Sequence, residues 1–380
     1  MKPILFIIIF LLYLGANFYV FYRVWVTMPP NLIGRIILIS FASISILSLV
    51  IFYLLDNVMP IGLSSFFYKI GTSWLFILIY FFIVVFVRDL FVLANRYLHF
   101  MPADALSRYT RDNWVGLAFM IGFIALLMVC GYLKYRWKVR VEVPIEIEKT
   151  VGDSTRFQPL RIVAISDLHL GYGINRNELD VWIEKINKEN PDIVLIAGDI
   201  IDNSVRPLNV GDFADSFKNI KAPMGIYACL GNHEFLSGVK ESVQFIEKAG
   251  VHLLRDSVAE VDGRFYVVGR EDRSNQNRKS LSELVSNLDE SKPIIVLDHQ
   301  PYNLEEAELN CVDLQISGHT HQGQVWPISM ITKSIYEIDH GFKKKGNTNI
   351  YVSSGIGIWG GKFRIGTQSE YVVIDINKKK

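Results

Sequence analysis

The feature that most constrains this chain is a set of four long apolar stretches within its first 133 residues. They cover residues 4–22, 36–55, 70–87 and 114–133, and each is close to the ~20 residues that a helix needs to cross ~30 Å of hydrocarbon. Charged residues stand at their ends, because a charge in mid-bilayer is costly. Only Lys2 precedes the first stretch and no small-residue cleavage site follows it, so we interpret it as an anchor rather than a cleaved signal peptide. The sequence therefore predicts an all-α transmembrane bundle of four helices.

The distribution of basic residues bears on the side of the membrane where the rest of the chain lies. Four spans place both chain ends on one side, and Lys and Arg are divided about equally between the two sides. A dense basic cluster follows the last span, with Lys134, Arg136, Lys138 and Arg140. By the positive-inside rule this cluster favours a cytoplasmic C-terminal region. We expect a multi-pass protein of a bacterial cell (inner) membrane.

The predicted spans contain no polar constellation that suggests a transporter. Asp89 and Asp112 lie at the edges of spans, where we expect solvated charges. The net charge is +1, so the bulk charge favours neither a nucleic acid nor an acidic partner. The three cysteines lack Cys-x-x-Cys spacing, so they suggest neither a zinc knuckle nor a redox pair. The expected partner is the lipid bilayer, no nucleic acid is expected, and the oligomeric state is not predicted.

After residue 136 the composition changes, and short apolar runs alternate with amphipathic stretches. Residues 139–147 alternate apolar and polar side chains, and Pro144 favours an edge strand there. Asp262-Gly263 predicts a hairpin. The other predicted strands cover residues 160–166, 192–197, 225–229, 294–297, 314–317, 350–352 and 371–376, and the predicted helices cover 178–189, 210–219, 239–249 and 280–288. This alternation predicts an α/β domain with a mixed sheet over residues 137–380, after a transmembrane domain over residues 1–136.

Metal-competent side chains follow five of the predicted strands, at the edge where open α/β sheets form their sites. Residues two apart in an extended segment point the same way, so Asp167 and His169 can bind one ion together, and so can His319 and His321. One such motif arises often by chance, whereas five in succession favour a metal site. The five motifs are Asp167-Leu-His169, Gly198-Asp199, Gly231-Asn232-His233-Glu234, Asp298-His299 and Gly318-His319-Thr-His321.

The ligand types indicate which ions to expect. Mixed Asp, His and Asn ligation suits Mn, Fe or Zn rather than a thiolate-loving metal. The ligands are too many for one tetrahedral ion, so two divalent metal ions that share a carboxylate fit better, and Asp199 is the natural bridge. His99, His252 and His340 lack such a setting, and we interpret them as ordinary surface or core residues.

The ordered motifs resemble those of the calcineurin-like metallophosphoesterases. The stretches Ile165-Ser-Asp-Leu-His-Leu-Gly171 and Gly318-His-Thr-His-Gln-Gly-Gln324 look most like the bacterial YkuE/YaeI-like branch. The resemblance implies a β-sandwich of mixed sheets flanked by helices. This chain departs from the family pattern at Glu234, where the family usually has Asp, and at Asp298, where it usually has Ser. The resemblance also implies the ligand sets: Asp167, His169, Asp199 and His321 for one ion, and Asp199, Asn232, His299 and His319 for the other.

The function implied by the resemblance is hydrolysis of a phosphoester or pyrophosphate bond at a dinuclear centre of divalent metal ions, for which Mn, Fe and Zn are the candidates and manganese is one to test. His233 and Asn232 are the predicted catalytic residues, and His233 would contact the phosphate or protonate the leaving oxygen. Arg364 is also predicted to bind phosphate, since it follows a glycine-rich stretch. The membrane anchor favours a lipid-linked substrate, with a soluble phosphorylated small molecule as the plain alternative. A UDP-diacylglucosamine pyrophosphatase-like enzyme and a catalytically silent membrane scaffold or sensor also remain open.

Overall fold

The computed structural model of the chain describes residues 2–102, 105–106, 110–149 and 159–378. The chain divides into two compact units, Met1–Tyr132 and Leu133–Lys380. Four helices are long and apolar enough to cross a membrane, as predicted. The proposed domain boundary at residue 136 falls at the end of the fourth helix and stays a prediction. These helices are α1 (Lys2–Thr27), α2 (Leu32–Leu55), α3 (Ile61–Leu98) and α4 (Trp114–Arg136).

Helix α3 corrects one prediction about the first unit. It has 38 residues, far more than the predicted span of residues 70–87, and therefore carries Asp89 within it. The Asp89 carboxylate accepts hydrogen bonds from the Tyr19 hydroxyl at 2.6 Å and lies 2.6 Å from Arg23 Nε. The prediction that Asp89 is a solvated charge is wrong. Tyr19 and Arg23 lie on α1, about 70 residues away in sequence, and no local pattern shows such contacts.

The second unit contains two six-stranded sheets. The first has the order β1 (Lys138–Ile147), β12 (Ser369–Lys378), β2 (Leu160–Ile165), β3 (Ile193–Ala197), β4 (Ile226–Cys229), β5 (His252–Leu253). The second has the order β10 (Gly341–Lys345), β11 (Thr348–Val352), β9 (Leu314–Ser317), β8 (Ile294–Leu297), β7 (Phe265–Gly269), β6 (Ser257–Val261). Neighbouring strands of the first sheet are parallel except for the β12–β2 pair. Neighbours in the second sheet are parallel except for the terminal pairs β10–β11 and β6–β7.

The two sheets pack face to face around one apolar core. Ile162 and Leu195 of the first sheet and Val267 and Ile295 of the second are fully buried in this core. Fully burying one such side chain stabilises a fold by about 1.5–3 kcal/mol. The predicted β-sandwich of mixed sheets is confirmed, and β1 is an edge strand as Pro144 indicated.

Helices cover the outer faces of the sandwich. Helix α5 (Arg176–Lys188) shows why: its apolar residues form a buried stripe at helical spacing, made of Leu179, Trp182, Ile183 and Ile186. The Asn175 side chain caps it by accepting a hydrogen bond from the Glu178 amide. The helices of this unit are α5 (Arg176–Lys188), α6 (Arg206–Val210), α7 (Phe213–Phe217), α8 (Asn232–Leu236), α9 (Val239–Lys248), α10 (Leu281–Val285), α11 (Glu305–Leu309) and α12 (Ile328–Ile335).

Two differences from the prediction have local causes. The helix predicted over residues 210–219 is broken, because Gly211 ends α6 and Asp212 takes a left-handed φ of 49° before α7. Helix α8 was not predicted, because five residues are too few to show a helical period. The predicted hairpin at Asp262-Gly263 is confirmed as the antiparallel β6–β7 pair.

Candidate metal centre

The seven predicted ligands come together where the strands of both sheets end. Strands β2, β3 and β4 run parallel in the first sheet, and β8 and β9 run parallel in the second. Each of the five motifs begins within two residues of the carboxyl end of one of these strands. Because the sandwich brings the two edges together, side chains as far apart in sequence as His169 and His321, which are separated by 152 residues, meet in one place.

Four side chains form the first cluster. The Nε2 atoms of His169 and His321 lie 3.0 Å apart. Asp167 Oδ1 lies 3.5 Å from His321 Nε2, and Asp199 Oδ2 lies 3.6 Å from His169 Nε2. The cluster is closed to solvent, since none of the four residues is more than 9% exposed.

The second cluster shares Asp199 with the first. Asp199 Oδ2 lies 3.1 Å from His299 Nε2. Asn232 Oδ1 lies 3.2 Å from His299 Nε2 and 2.8 Å from His319 Nδ1. Asn232 and His319 are half-buried, so this cluster forms the solvent side of the site. One carboxylate therefore lies between two groups of ligand atoms.

The backbone of the site is unusual, because five of the seven predicted ligands have a positive φ. Such a conformation costs roughly 1–3 kcal/mol for a residue other than glycine, and it clusters at functional sites. Two glycines pack closely against the carboxylates of the site. A Cβ on Gly231 would lie 2.2 Å from Asp199 Oδ1, and one on Gly318 would lie 2.4 Å from Asp167 Oδ2. The five residues are Asp167 (53°), His169 (48°), Asp199 (52°), His319 (71°) and His321 (50°).

The charges of the ligand side chains are set by burial and by each other. Burial raises the pKa of Asp199, but His299, His233 and His169 outweigh it and hold that pKa well below its usual range. Burial and the neighbouring His299 lower the pKa of His319 to about 4. Burial likewise lowers the pKa of His321 well below its usual value. His319 and His321 are therefore neutral at physiological pH, the form in which imidazole binds metal.

This arrangement fits divalent cations. Among the described residues, Asp167 and Asp199 have only histidines as ion-pair partners. Buried carboxylates need positive charge close by, and two divalent cations would supply more of it than the imidazoles of the site. The clusters Asp167–His169–His321 and Asp199–His299–His319 each hold their ligand atoms within 4.8 Å of one another. In a third group, His169–Asp199–His233, the ligand atoms also lie within 4.8 Å of one another. His233 is therefore close to His169 and Asp199.

His233 lies beside the clusters with a partner that the sequence analysis missed. Its Nδ1 lies 2.8 Å from the backbone oxygen of Asp202 and 3.4 Å from Asp202 Oδ1. Burial lowers the pKa of His233, but Asp199 and Asp202 outweigh it and raise that pKa to about 9. This raised pKa favours the protonated ring. Because His233 is half-buried, the ring lies at the mouth of the site. The only indication of Asp202 in the sequence is that a second aspartate follows Asp199 by three residues. Its contact with His233 is seen only in the structure.

Glu234 supports the site from behind. Its carboxylate is fully buried and accepts three backbone N–H bonds, from Gly231 at 2.7 Å, Ile201 at 2.9 Å and Asp199 at 3.1 Å. Burial, together with Asp199, raises the pKa of Glu234 to about 7. This residue joins the loop that carries Asp199 to the loop that carries Asn232. The sequence placed Glu234 in a motif but did not show this bridging role.

Asp298, the other departure from the family pattern, is held by two arginines. Arg270 Nη1 lies 3.2 Å from Asp298 Oδ2, and Arg278 donates a short hydrogen bond to the same oxygen. Asp298 is 3% exposed and directly precedes His299. Its ion pairs therefore fix the start of the loop that presents His299.

Arg364 lies behind His321 rather than at the mouth of the site. It is 1% exposed, and its guanidinium donates to the backbone oxygens of His321 at 2.6 Å and Ser354 at 2.5 Å. These contacts support a structural role, and phosphate binding by Arg364 stays a prediction. Two of the remaining histidines have ordinary partners: His340 pairs with Glu370 at 2.9 Å, and His252 stacks on Tyr227.

Residues 160–323 match the family model of the calcineurin-like phosphoesterases. An uncharacterised metallophosphoesterase of Aquifex aeolicus is 31% identical over 266 residues, which covers 68% of this chain and 99% of that protein. Residues 160–323, which match the family model, contain all seven predicted ligands and His233.

Two further relatives are longer than their matched region. An uncharacterised metallophosphoesterase of Campylobacter jejuni is 33% identical over 227 residues, 58% of this chain and 60% of that protein. A protein of Danio rerio described as a transmembrane protein with metallophosphoesterase domain is 29% identical over 248 residues, 61% of this chain and 55% of that protein. The chain therefore spans less than two thirds of the length of these relatives.

Proposed function

Because this chain belongs to the calcineurin-like metallophosphoesterase family, we propose that it hydrolyses a phosphoester or pyrophosphate bond at two divalent metal ions. The observation that carries this proposal is the position of Asp199 between two groups of ligand atoms. Two ions that share one carboxylate would use both groups of ligand atoms, whereas a single ion would use only one of them.

The two ions have distinct ligand sets in this proposal. Asp167, His169, Asp199 and His321 hold one, and Asp199, Asn232, His299 and His319 hold the other. When bound, such a pair lowers the pKa of water and stabilises negative charge on phosphoryl oxygens. The nitrogen and oxygen donors suit Mn, Fe or Zn, and manganese is the first metal to test.

The chain's own groups supply positioning and a proton. His233 donates a proton to the leaving oxygen, and Asp202, which is not one of the proposed metal ligands, favours the protonated ring. Its Nδ1 bond to the Asp202 backbone oxygen orients the ring, so that Nε2 is the donating atom. Proton donation of this kind typically contributes about 10²–10⁴-fold in rate. Asn232 holds the rim of the site through its contacts with His299 and His319.

A lipid-linked phosphate is the substrate class that the rest of the chain supports. The four apolar helices are mostly exposed, since only 17–28% of the most apolar stretch of each is buried within the structure, and such a surface suits a bilayer. The proposed location is a bacterial inner membrane with the catalytic unit in the cytoplasm, as the basic cluster after the fourth span favours. A soluble phosphodiester or phosphomonoester is the alternative substrate.

The proposal is tested with the purified, Mn-loaded full chain in detergent. We expect hydrolysis of bis-p-nitrophenyl phosphate and, with extracted membrane lipids or nucleotide-linked lipids, products that mass spectrometry identifies as the cleaved phosphates. Hydrolysis of the soluble ester alone would reject the lipid-linked substrate. No bound metal and no hydrolysis with Mn, Fe or Zn would reject the enzyme and favour a silent scaffold.

A further inference from the structure

A pocket of about 390 Å³ lies on the second sheet. Two of its lining residues, Arg270 and Arg278, pair with Asp298, which directly precedes the predicted ligand His299. Four of its lining residues are cationic, and Glu306 is the acidic one among the described residues that line it. We call it the basic pocket and define it by Arg270, Arg273, Arg278, Lys279, Tyr302 and Glu306.

The cations of the basic pocket outnumber the carboxylates that face them. Arg270 and Arg278 are neutralised by Asp298 beneath the pocket and by Glu306 in its wall. Arg273 and Lys279 are exposed and have no ion-pair partner in the described part of the chain. These two positive charges are therefore not held in ion pairs, so they can attract an anion.

The pocket also has unused hydrogen-bond donors. The Nε atoms of Arg270 and Arg278 are buried and have no acceptor among the described residues. Arg270 is 7% exposed, so its geometry is fixed by its ion pairs rather than by solvent. The guanidinium of Arg273 is also held, since it stacks 4.5 Å from the centre of the Tyr302 ring. Planar, preorganised guanidinium groups are the preferred partners of phosphate oxygens.

Two tyrosines connect the basic pocket to the metal centre. The Tyr302 ring, which lines the pocket, lies 4.9 Å from the Tyr336 ring, and their hydroxyls are 3.0 Å apart. The Tyr336 ring lies 6.2 Å from the ring of the predicted ligand His319. The pocket and the solvent side of the metal centre are thus separated by two aromatic rings, a distance that one elongated substrate can bridge.

We propose that the basic pocket binds a second phosphate group of the substrate while the scissile phosphate lies at the metal centre. This inference rests on the proposed function and narrows its substrate class to phosphoesters that carry a further phosphate away from the cleaved bond. Arg273 and Lys279 are specificity residues in this account, because they contact the second phosphate and not the reacting atoms.

The test compares two probes that differ by one phosphate: thymidine 5′-(p-nitrophenyl phosphate) with and without a 3′-phosphate. The Mn-loaded full chain is expected to show a KM roughly tenfold lower for the 3′-phosphorylated probe, the size of one charge-assisted contact. The double variant R273A/K279A should lose this preference by a rise in KM for that probe alone. The kcat of this variant, and its KM for the probe without the 3′-phosphate, should stay within about twofold of the values for the native chain. The reason is that Arg273 and Lys279 do not contact the reacting atoms. Lys248→Ala, at an exposed lysine outside the pocket, is the matched control and should keep the preference.

The outcomes separate the two proposals. Hydrolysis without a preference, or a preference that survives R273A/K279A, would overturn the basic pocket and leave the proposed function intact. Absence of hydrolysis would reject the proposed function, and calorimetry with thymidine 3′,5′-bisphosphate would then decide the pocket alone. In that measurement R273A/K279A should bind roughly tenfold more weakly than the native chain and K248A, and equal affinities would refute the inference.

Discussion

The buried Glu234 carboxylate offers a sharp test of how the site is held together. Its Oε2 accepts N–H bonds from Gly231 and Asp199, and its Oε1 accepts one from Ile201. Glu234→Gln keeps the shape but replaces one acceptor by an amide NH₂. In its better orientation the glutamine keeps two bonds and points NH₂ at the Ile201 N–H. Two buried donors then face each other, which costs about 2–4 kcal/mol.

That cost translates into a measurable loss of thermal stability. At about 2–4 °C per kcal/mol for a domain of roughly 150–250 residues, the Tm of the catalytic unit should fall by roughly 5–15 °C. Differential scanning fluorimetry of the full chain in detergent measures the loss at a pH above the Glu234 pKa of about 7, where the carboxylate is ionised and only accepts hydrogen bonds. The matched control is Glu283→Gln, because Glu283 accepts from the Ser280 amide and hydroxyl on the exposed surface, where the loss is expected to be below about 1 kcal/mol. Equal Tm values for the two variants would refute the reasoning.

Three further predictions concern the metal centre and the proton donor. Asp199→Asn should lose bound metal, since a unit charge about 4 Å away at an effective dielectric constant of about 20 is worth about 4 kcal/mol; elemental analysis after dialysis measures this, with the exposed Asp215→Asn as the control that keeps metal. His233→Asn should keep both metals but lose about 10²–10⁴-fold in kcat, and a parallel loss of metal and turnover would contradict the proton-donor role. Chelation with EDTA should abolish hydrolysis and lower the Tm of the catalytic unit, with recovery on addition of Mn; an unchanged Tm would argue against metals that stabilise the fold.

The sequence predicted those parts of the molecule whose signals are local. Strands β8 and β9 have the predicted bounds, because each is a short apolar run between polar motifs. The motifs of the predicted ligands were visible because each follows such a strand. Their convergence follows from a general property of parallel sheets, and the structure brings all seven side chains together.

The features that the sequence did not predict depend on contacts between distant residues. Asp202 and the three N–H bonds of Glu234 become apparent only when the loops after β3 and β4 meet. The pairing of Asp89 with Arg23 joins α1 to α3. Arg364 was predicted to bind phosphate because it follows a glycine-rich stretch. Such a stretch permits another group to approach the backbone closely, but it does not show which group does so. In the structure its guanidinium donates to backbone oxygens instead.

The central claim is that two cations share Asp199, and X-ray diffraction at the manganese absorption edge tests it most directly. Crystals of the Mn-loaded chain should give two anomalous peaks. One should lie among Asp167, His169 and His321, the other among Asn232, His299 and His319, and the Asp199 carboxylate should contact both. A single peak, or two peaks away from Asp199, would contradict the account.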